Sequence, residues 1–271
     1  MKNYVLLVDV GKCTQCHACV LACKDEHFGS DYPPYTLGQQ ELGEHWINMR
    51  IEERGSGSKV RAVCWPELCL HCKTPACMDN NPAVTKNSDG IVLIDQAAAK
   101  GNRTLADACP YNAIAWNGEL SLPQKCTLCA HLLDAGDVPR CVESCPNGTM
   151  LFGDLSDAGS EVSRVVAGVP ELRAQDSIVR YYNKPGRFAA GSVYHSESEV
   201  AAGAAVKLIA GGAVIAETIT NGFGDFRFDC LPDSKECQIE ITCDGYETLL
   251  LSADAENDVC WEEIFTAKNR Y

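Results

Sequence analysis

The chain has 271 residues, 46% of them apolar, and a formal net charge of −14. That length exceeds one average domain and supplies apolar surface for a core, so two or three units are expected. The acidity argues against nucleic acid and anionic membrane surfaces as partners.

The opening run, Met1 to Asp9 with Val5, Leu6, Leu7 and Val8 at its centre, is too short for a signal peptide. No stretch reaches the roughly 18–20 uninterrupted apolar residues of a membrane helix. Ala201 to Ile219 comes nearest, and Lys207 and Glu217 interrupt it. No direct membrane insertion is expected, and the crowding of thiols described below favours a reducing, cytoplasmic setting. Export as the cargo of a signal-bearing partner stays open.

Three regions follow one another. Residues 1–153 hold the clustered cysteines, residues 154–195 read as an extension or linker, and residues 196–271 read as an antiparallel β domain. The fold class expected is α+β. In the first region, Ala108-Cys109-Pro110-Tyr111-Asn112 and Ser144-Cys145-Pro146-Asn147 repeat a Cys-Pro loop before a short apolar segment. Asn81-Pro82-Ala83-Val84 has the same shape with Asn in place of Cys. The turn signal Asn87-Ser88-Asp89-Gly90 then leads into the strand Ile91 to Ile94. A cysteine loop followed by a hairpin, repeated, points to duplicated ferredoxin-like units.

The cysteine spacings are specific. Cys13-x2-Cys16-x2-Cys19-x3-Cys23 is the bacterial ferredoxin run, whose fourth cysteine reaches a neighbouring cluster. Cys126-x2-Cys129-x11-Cys141-x3-Cys145-Pro146 is the same run with a longer middle loop. Crosswise pairing assigns Cys13, Cys16, Cys19 and Cys145 to one [4Fe–4S] cluster and Cys126, Cys129, Cys141 and Cys23 to a second. Cys69, Cys72 and Cys77, completed by Cys109, make a third. The fourth set would fall on Asn81, Ala99, Asn102 and Leu105, none of which supplies a thiolate. One site is missing whole and three are complete. A gap inside a row of clusters would break conduction, so the missing site is expected at an end. Zinc also uses paired CxxC loops, but not this run with a trailing Cys-Pro. A disulfide framework would not bunch its cysteines this way.

Five of the seventeen cysteines are left over: Cys64, Cys230, Cys237, Cys243 and Cys260. Alternation in Phe226 to Cys230 and Cys237 to Cys243 puts Cys230, Cys237 and Cys243 on inner strand faces, where buried free thiols fit best. Turns are expected at Asn221-Gly222, Leu231-Pro232-Asp233 and Asp244-Gly245. His17, His71 and His131, in or beside cluster loops, read as loop residues that could also tune a cluster through hydrogen bonds. Trp65 reads as packing, and Gly55-Ser56-Gly57-Ser58 as flexible surface without the lysine of a phosphate loop. No catalytic motif appears.

The run Val8 to Lys24, the segment Cys64-Trp65-Pro66-Glu67-Leu68-Cys69-Leu70-His71-Cys72, the loop at Cys109-Pro110 and the Cys126 to Cys145 motif carry a resemblance. Over about residues 3–155 the chain resembles the iron–sulfur subunits of the dimethyl sulfoxide reductase family of molybdopterin enzymes. That resemblance implies an electron-transfer subunit docked on a large catalytic subunit, which alone carries molybdopterin. The chain departs from most of the family by lacking one cluster site and by adding a β domain. That domain, from Val206-Lys207-Leu208 to Asp244-Gly245-Tyr246, resembles transthyretin-like or carboxypeptidase-regulatory modules, a small antiparallel β-sandwich or barrel. Three clusters with such a module are similar to the transhydroxylase branch of the family, which moves a hydroxyl between polyhydroxybenzenes without net redox change. A respiratory dimethyl sulfoxide, polysulfide or nitrate-type reductase subunit, and a mainly structural cluster-stabilised module, stand as alternatives.

Overall fold

The structure, a computed structural model, describes residues 2–232, 236–253 and 256–268. It divides into two units. The first comprises Met1–Ile51 and Cys64–Lys184, the second Glu52–Val63 and Pro185–Tyr271.

In the first unit, β1 (Tyr4–Asp9) is followed by α1 (Ala18–His27) and by a hairpin of β2 (Ile47–Arg54) and β3 (Arg61–Leu68), whose tip groups with the second unit. Two short hairpins, β4 (Val84–Lys86) with β5 (Val92–Ile94) and β6 (Ala115–Asn117) with β7 (Leu122–Gln124), flank the one-turn α2 (Thr104–Asp107). Then come α3 (Ala130–Ala135), α4 (Arg140–Glu143), β8 (Met150–Asp154), α5 (Glu161–Gly168), α6 (Pro170–Ala174) and β9 (Val179–Tyr182).

The apolar opening run is the middle strand of a sheet ordered β8-β1-β9, antiparallel to β8 and parallel to β9. Both faces of β1 are covered, which explains a continuous apolar run in place of alternation. Leu6 and Val8 point into the core that holds Cys19, Cys23, Cys69 and Cys126. Val5 and Leu7 point to the other side, against Val162 of α5 and Leu172 of α6. The stretch read as an extension thus carries α5, α6 and β9, and residues 155–184 lie within the first unit. The Ser160 hydroxyl caps α5 by accepting from the Ser163 N–H at 3.3 Å.

In the second unit, β10 (Phe188–Ser196), β11 (Glu199–Val200), β14 (Asp225–Asp229) and β17 (Val259–Phe265) form one sheet. The other is ordered β13 (Ala213–Ile219), β12 (Ala205–Ala210), β15 (Cys237–Thr242), β16 (Leu249–Ala253). Val193, Phe226 and Ile264 from the first sheet and Val206, Ile239 and Ile241 from the second share one core, a sandwich arrangement. The expected antiparallel order holds except at β10, which pairs parallel with β17. Parallel neighbours need a crossover, and the chain makes it by visiting the other sheet between the two strands.

The turn at Asn221 closes through the Gly224 N–H on the Asn221 carbonyl. Gly224 has φ +79, and a Cβ there would lie 2.4 Å from the Val193 carbonyl oxygen, so only glycine fits. Beyond Pro232, the turn expected at Leu231-Pro232-Asp233 runs outside the described residues. Cys237 is fully buried as expected, but Cys230 is exposed and Cys243 only partly covered. Cys230 lies one residue past β14 with φ +59, a left-handed step that turns its side chain off the strand face. Arg54 fastens the hairpin tip within this unit: its guanidinium grips the Asp258 carboxylate at 2.7 and 2.8 Å and donates to the Pro185 and Gly186 carbonyls.

Candidate metal centres

Three loops of the first unit share one conformation. In Cys13-x2-Cys16, Cys69-x2-Cys72 and Cys126-x2-Cys129, the second residue after the leading cysteine is left-handed: Gln15 (φ 57), His71 (φ 47) and Leu128 (φ 56). Such a φ costs a bulky residue roughly 1–3 kcal/mol, so the surroundings must enforce it. Each bend turns a backbone N–H onto the leading sulfur. His71 N–H reaches Cys69 Sγ at 3.5 Å, Leu128 N–H reaches Cys126 Sγ at 3.3 Å, and Gln15 N–H bonds Cys13 in the same way. These bonds favour the thiolate.

Helix geometry explains the crosswise sets. Cys19 and Cys23 are four residues apart on α1, on one face and ~6 Å apart along the axis. Cys141 on α4 and Cys145 just beyond it repeat that spacing, and the two helices pack together. Cys13, Cys16, Cys19 and Cys145 line one cavity with Met49 and Pro66. Cys23, Cys126, Cys129 and Cys141 line a second with His27, Trp46 and Leu68. Cys69, Cys72, Cys77 and Cys109 line a third, of about 300 Å³, with Val92 and Lys125. Among the described residues no cysteine is paired in a disulfide.

The second cavity neighbours both of the others. The Cys23 and Cys141 thiols sit near enough to Cys19 to feel its charge, which links the first set to the second. Cys126 feels Cys69, which links the second to the third. Beyond the third set, Cys77 and Cys109 pack on an apolar cluster that includes Ala99 and Leu105, both fully buried. Asn81 and Asn102 make turn bonds there, accepting from the Ala83 N–H and the Thr104 hydroxyl. At two of the four positions without a thiolate, packed side chains form the core.

Left as thiols, these groups resist ionisation. Burial, then neighbouring sulfurs, pushes Cys19 up to about 11 and Cys126 to about 12, and drives Cys23 and Cys141 well above the ordinary thiol range. Burial also raises Cys145, but the backbone N–H groups of Met150, Thr149 and Asn147 outweigh it and bring the net shift below the ordinary value. Among the described residues, no three His, Cys, Asp or Glu side chains converge tightly enough for a single metal ion. The first and second four-thiol sets line small cavities of about 20 and 10 Å³, and the third lines the larger one.

The 4Fe-4S dicluster domain family matches residues 60–155, which takes in the Cys69 to Cys145 motifs. The small subunit of pyrogallol hydroxytransferase from Pelobacter acidigallici is 37% identical over 259 residues, covering 90% of this chain and 92% of that one. A tetrathionate reductase subunit of Salmonella typhimurium is 32% identical, covering 60% of this chain and 63% of that protein. A putative dimethyl sulfoxide reductase iron–sulfur subunit of Halobacterium salinarum is 30% identical, covering 62% and 72%. The chain belongs to the iron–sulfur subunits of the dimethyl sulfoxide reductase family. Members of this family are electron-transfer subunits of molybdoenzyme complexes.

The residues present fit the cofactor of this iron–sulfur family. Four thiols around each cavity can all ionise only if a cationic core takes up their charge. Around the second cavity, the Trp46 Nε1–H and the Thr127 hydroxyl are buried without a partner, donors that suit a sulfur-rich body. His27 donates Nδ1–H to the Cys23 carbonyl at 2.9 Å, and burial holds its ring down at about 4, so it is neutral.

Sequence reasoning singled out His17, His71 and His131, and the structure separates them. His17 is exposed. His131 Nε2 bonds Glu26 at 3.0 Å and its ring stacks on Tyr32. His71 is fully buried, and its Nδ1 accepts from the Val92 N–H at 3.0 Å, so its unpartnered Nε2 carries the proton. Trp65 lies under the Lys184 ammonium, 4.6 Å from the ring centre. Trp46, Thr127 and Lys125 were not singled out. A lysine directly before a CxxC motif was the available signal for the last. Cys64, left over in the sequence, is buried with its Sγ–H donating to the Cys13 carbonyl at 3.5 Å. Among the described residues no helix is long and apolar enough to cross a membrane.

Proposed function

We propose that the chain is the electron-transfer subunit of a pyrogallol–phloroglucinol transhydroxylase-type enzyme, carrying three [4Fe–4S] clusters and docked on a large molybdopterin-containing catalytic subunit. The observation that carries this reading is the reach of the hydroxytransferase match. A likeness over 90% of the chain runs through most of the second unit as well as the first, whereas the reductase subunits match about 60%. A cluster at each four-cysteine site would supply one-electron chemistry, with a potential set by burial, charge and hydrogen bonds to sulfur. The twelve cysteines bind and orient those clusters. The left-handed loops aim backbone N–H groups at the leading sulfurs, and the apolar lining around Trp46 and Leu68 excludes water from the middle site.

The row ends at the apolar cluster around Ala99 and Leu105, which supports a wire shortened at one end and not broken in its middle. A short wire suits a reaction with no net electron output. No substrate chemistry is expected from this chain's own residues. The reading is tested by purifying the chain anaerobically with whatever subunit accompanies it. Hydroxyl transfer between trihydroxybenzenes, with molybdenum in the large subunit, is the expected result. A complex that reduces an S-oxide, polysulfide or nitrate and passes electrons to quinone would establish the respiratory reading instead.

A further inference from the structure

We infer that Lys125 is the charge partner of the site formed by Cys69, Cys72, Cys77 and Cys109, and raises the reduction potential of the cluster held there. The inference rests on the cluster reading above. Lys125 follows β7 and is only 3% exposed. Its Nζ donates to the Val92 carbonyl and, at 3.0 Å, to the Cys126 carbonyl, and among the described residues no carboxylate pairs with it. A buried ammonium held by carbonyls alone is costly unless negative charge stands close by. The negative charge available is that of the four thiolates whose cavity Lys125 lines, with Cys126 of the middle set also within reach of its charge. Its charge also favours the thiolate at Cys77, which supports the placement.

A second cation reinforces the asymmetry. Lys86 Nζ donates to the Cys72 and Lys73 carbonyls at 2.8 Å each, on the same side of the first unit. The carboxylate lining this cavity, Asp176, is exposed and faces Lys73 at 3.9 Å. At the middle site Arg140 stands near Cys129, its backbone N–H bonding the sulfur, but the Glu26 carboxylate is near as well and the Arg140 guanidinium is engaged by Glu26 and Glu143.

When one electron passes from the middle site to the third, the middle is oxidised and the third reduced, and no bond forms or breaks. The added negative charge is stabilised by a cation held in a low-dielectric wall, so the reduced form gains more than the oxidised one. Electrons therefore collect at the end of the row beside Ala99 and Leu105.

The test is an EPR-monitored redox titration of the full chain, purified anaerobically with its clusters and its accompanying subunit, as wild type, Lys125→Met and Lys125→Arg. Cys77→Ala identifies the third signal by removing it. In Lys125→Met, the equilibrium constant for reducing that site should fall at least tenfold, ~59 mV for a one-electron couple. The middle signal should move less, the first should not move, and Lys125→Arg should recover most of the loss. A third signal within threefold of wild type, or equal shifts in all three, overturns the inference. If Lys125→Met instead loses about four iron, one cubane's worth, retention by Lys125→Arg supports the need for a cation and loss from both overturns it. A wild-type protein without about twelve iron overturns the cluster reading itself and not this step alone.

Discussion

At the scale of single residues, the proposed function has the twelve cysteines working as sets of four, so that removing one should empty one cavity only. Cys77→Ala is expected to lower bound iron by about four per chain, one cubane's worth, while Cys237→Ala, in the β core, leaves it unchanged. Iron analysis of the two purified variants checks this. A loss spread over all three sites in Cys77→Ala would contradict independent sets. The cysteine loops and helix faces were legible in the sequence because their geometry is local: spacings of three and four residues fix which sulfurs share a loop or a helix face, while the crosswise completion of each set came from the ferredoxin pattern. Lys125, Trp46 and Thr127 were not legible, because burial of a polar group against a distant cavity depends on tertiary packing. Cys230 was misread for a related reason. Alternation predicts a face only while the chain stays extended, and its left-handed φ ends the strand one residue early.

At the scale of elements, the crosswise sets require α1 and α4 to stay together, and Glu26 ties them. Burial pulls its carboxyl up, but hydrogen bonds from His131, Arg140 and Tyr32 outweigh this and hold it at about 2. A carboxyl depressed in the folded state stabilises it fully above the ordinary value near 4.3, and that stability is lost as pH falls toward 2. Glu26→Gln should therefore cost ~2 kcal/mol at pH 7, with the gap to wild type closing as the melting measurement moves below pH 4. A gap that widens on acidification would contradict this. The apolar cluster beside the third site makes a separate prediction. Leu105 is core and no longer a ligand position, so Leu105→Ala should cost ~2–4 kcal/mol in thermal or denaturant unfolding without changing iron content. The hairpin at Asn87 to Gly90 was readable from its turn residues, and β4 and β5 pair around it. The parallel β10–β17 pairing was not, since nothing local in either strand names a partner some seventy residues away.

At the scale of the whole molecule, cluster chemistry belongs to the first unit, and the second is stabilised by its own core and the Arg54–Asp258 pair. Both side chains of that pair are largely buried, at 13% and 9% exposure. Arg54→Met should destabilise the second unit by ~3 kcal/mol and leave the iron count and EPR signals of the first in place, a separation that calorimetry with parallel iron analysis would show. Strand alternation and turn residues marked the second unit in the sequence, whereas the share taken by residues 52–63 came only from the fold. The central claim is three [4Fe–4S] clusters on twelve cysteines, with the fourth site closed by packing. Its most direct test is the ratio of iron and acid-labile sulfide to protein in the anaerobically purified chain. About twelve of each per chain is the expected result. About sixteen or eight of each, or zinc without labile sulfide, would contradict it.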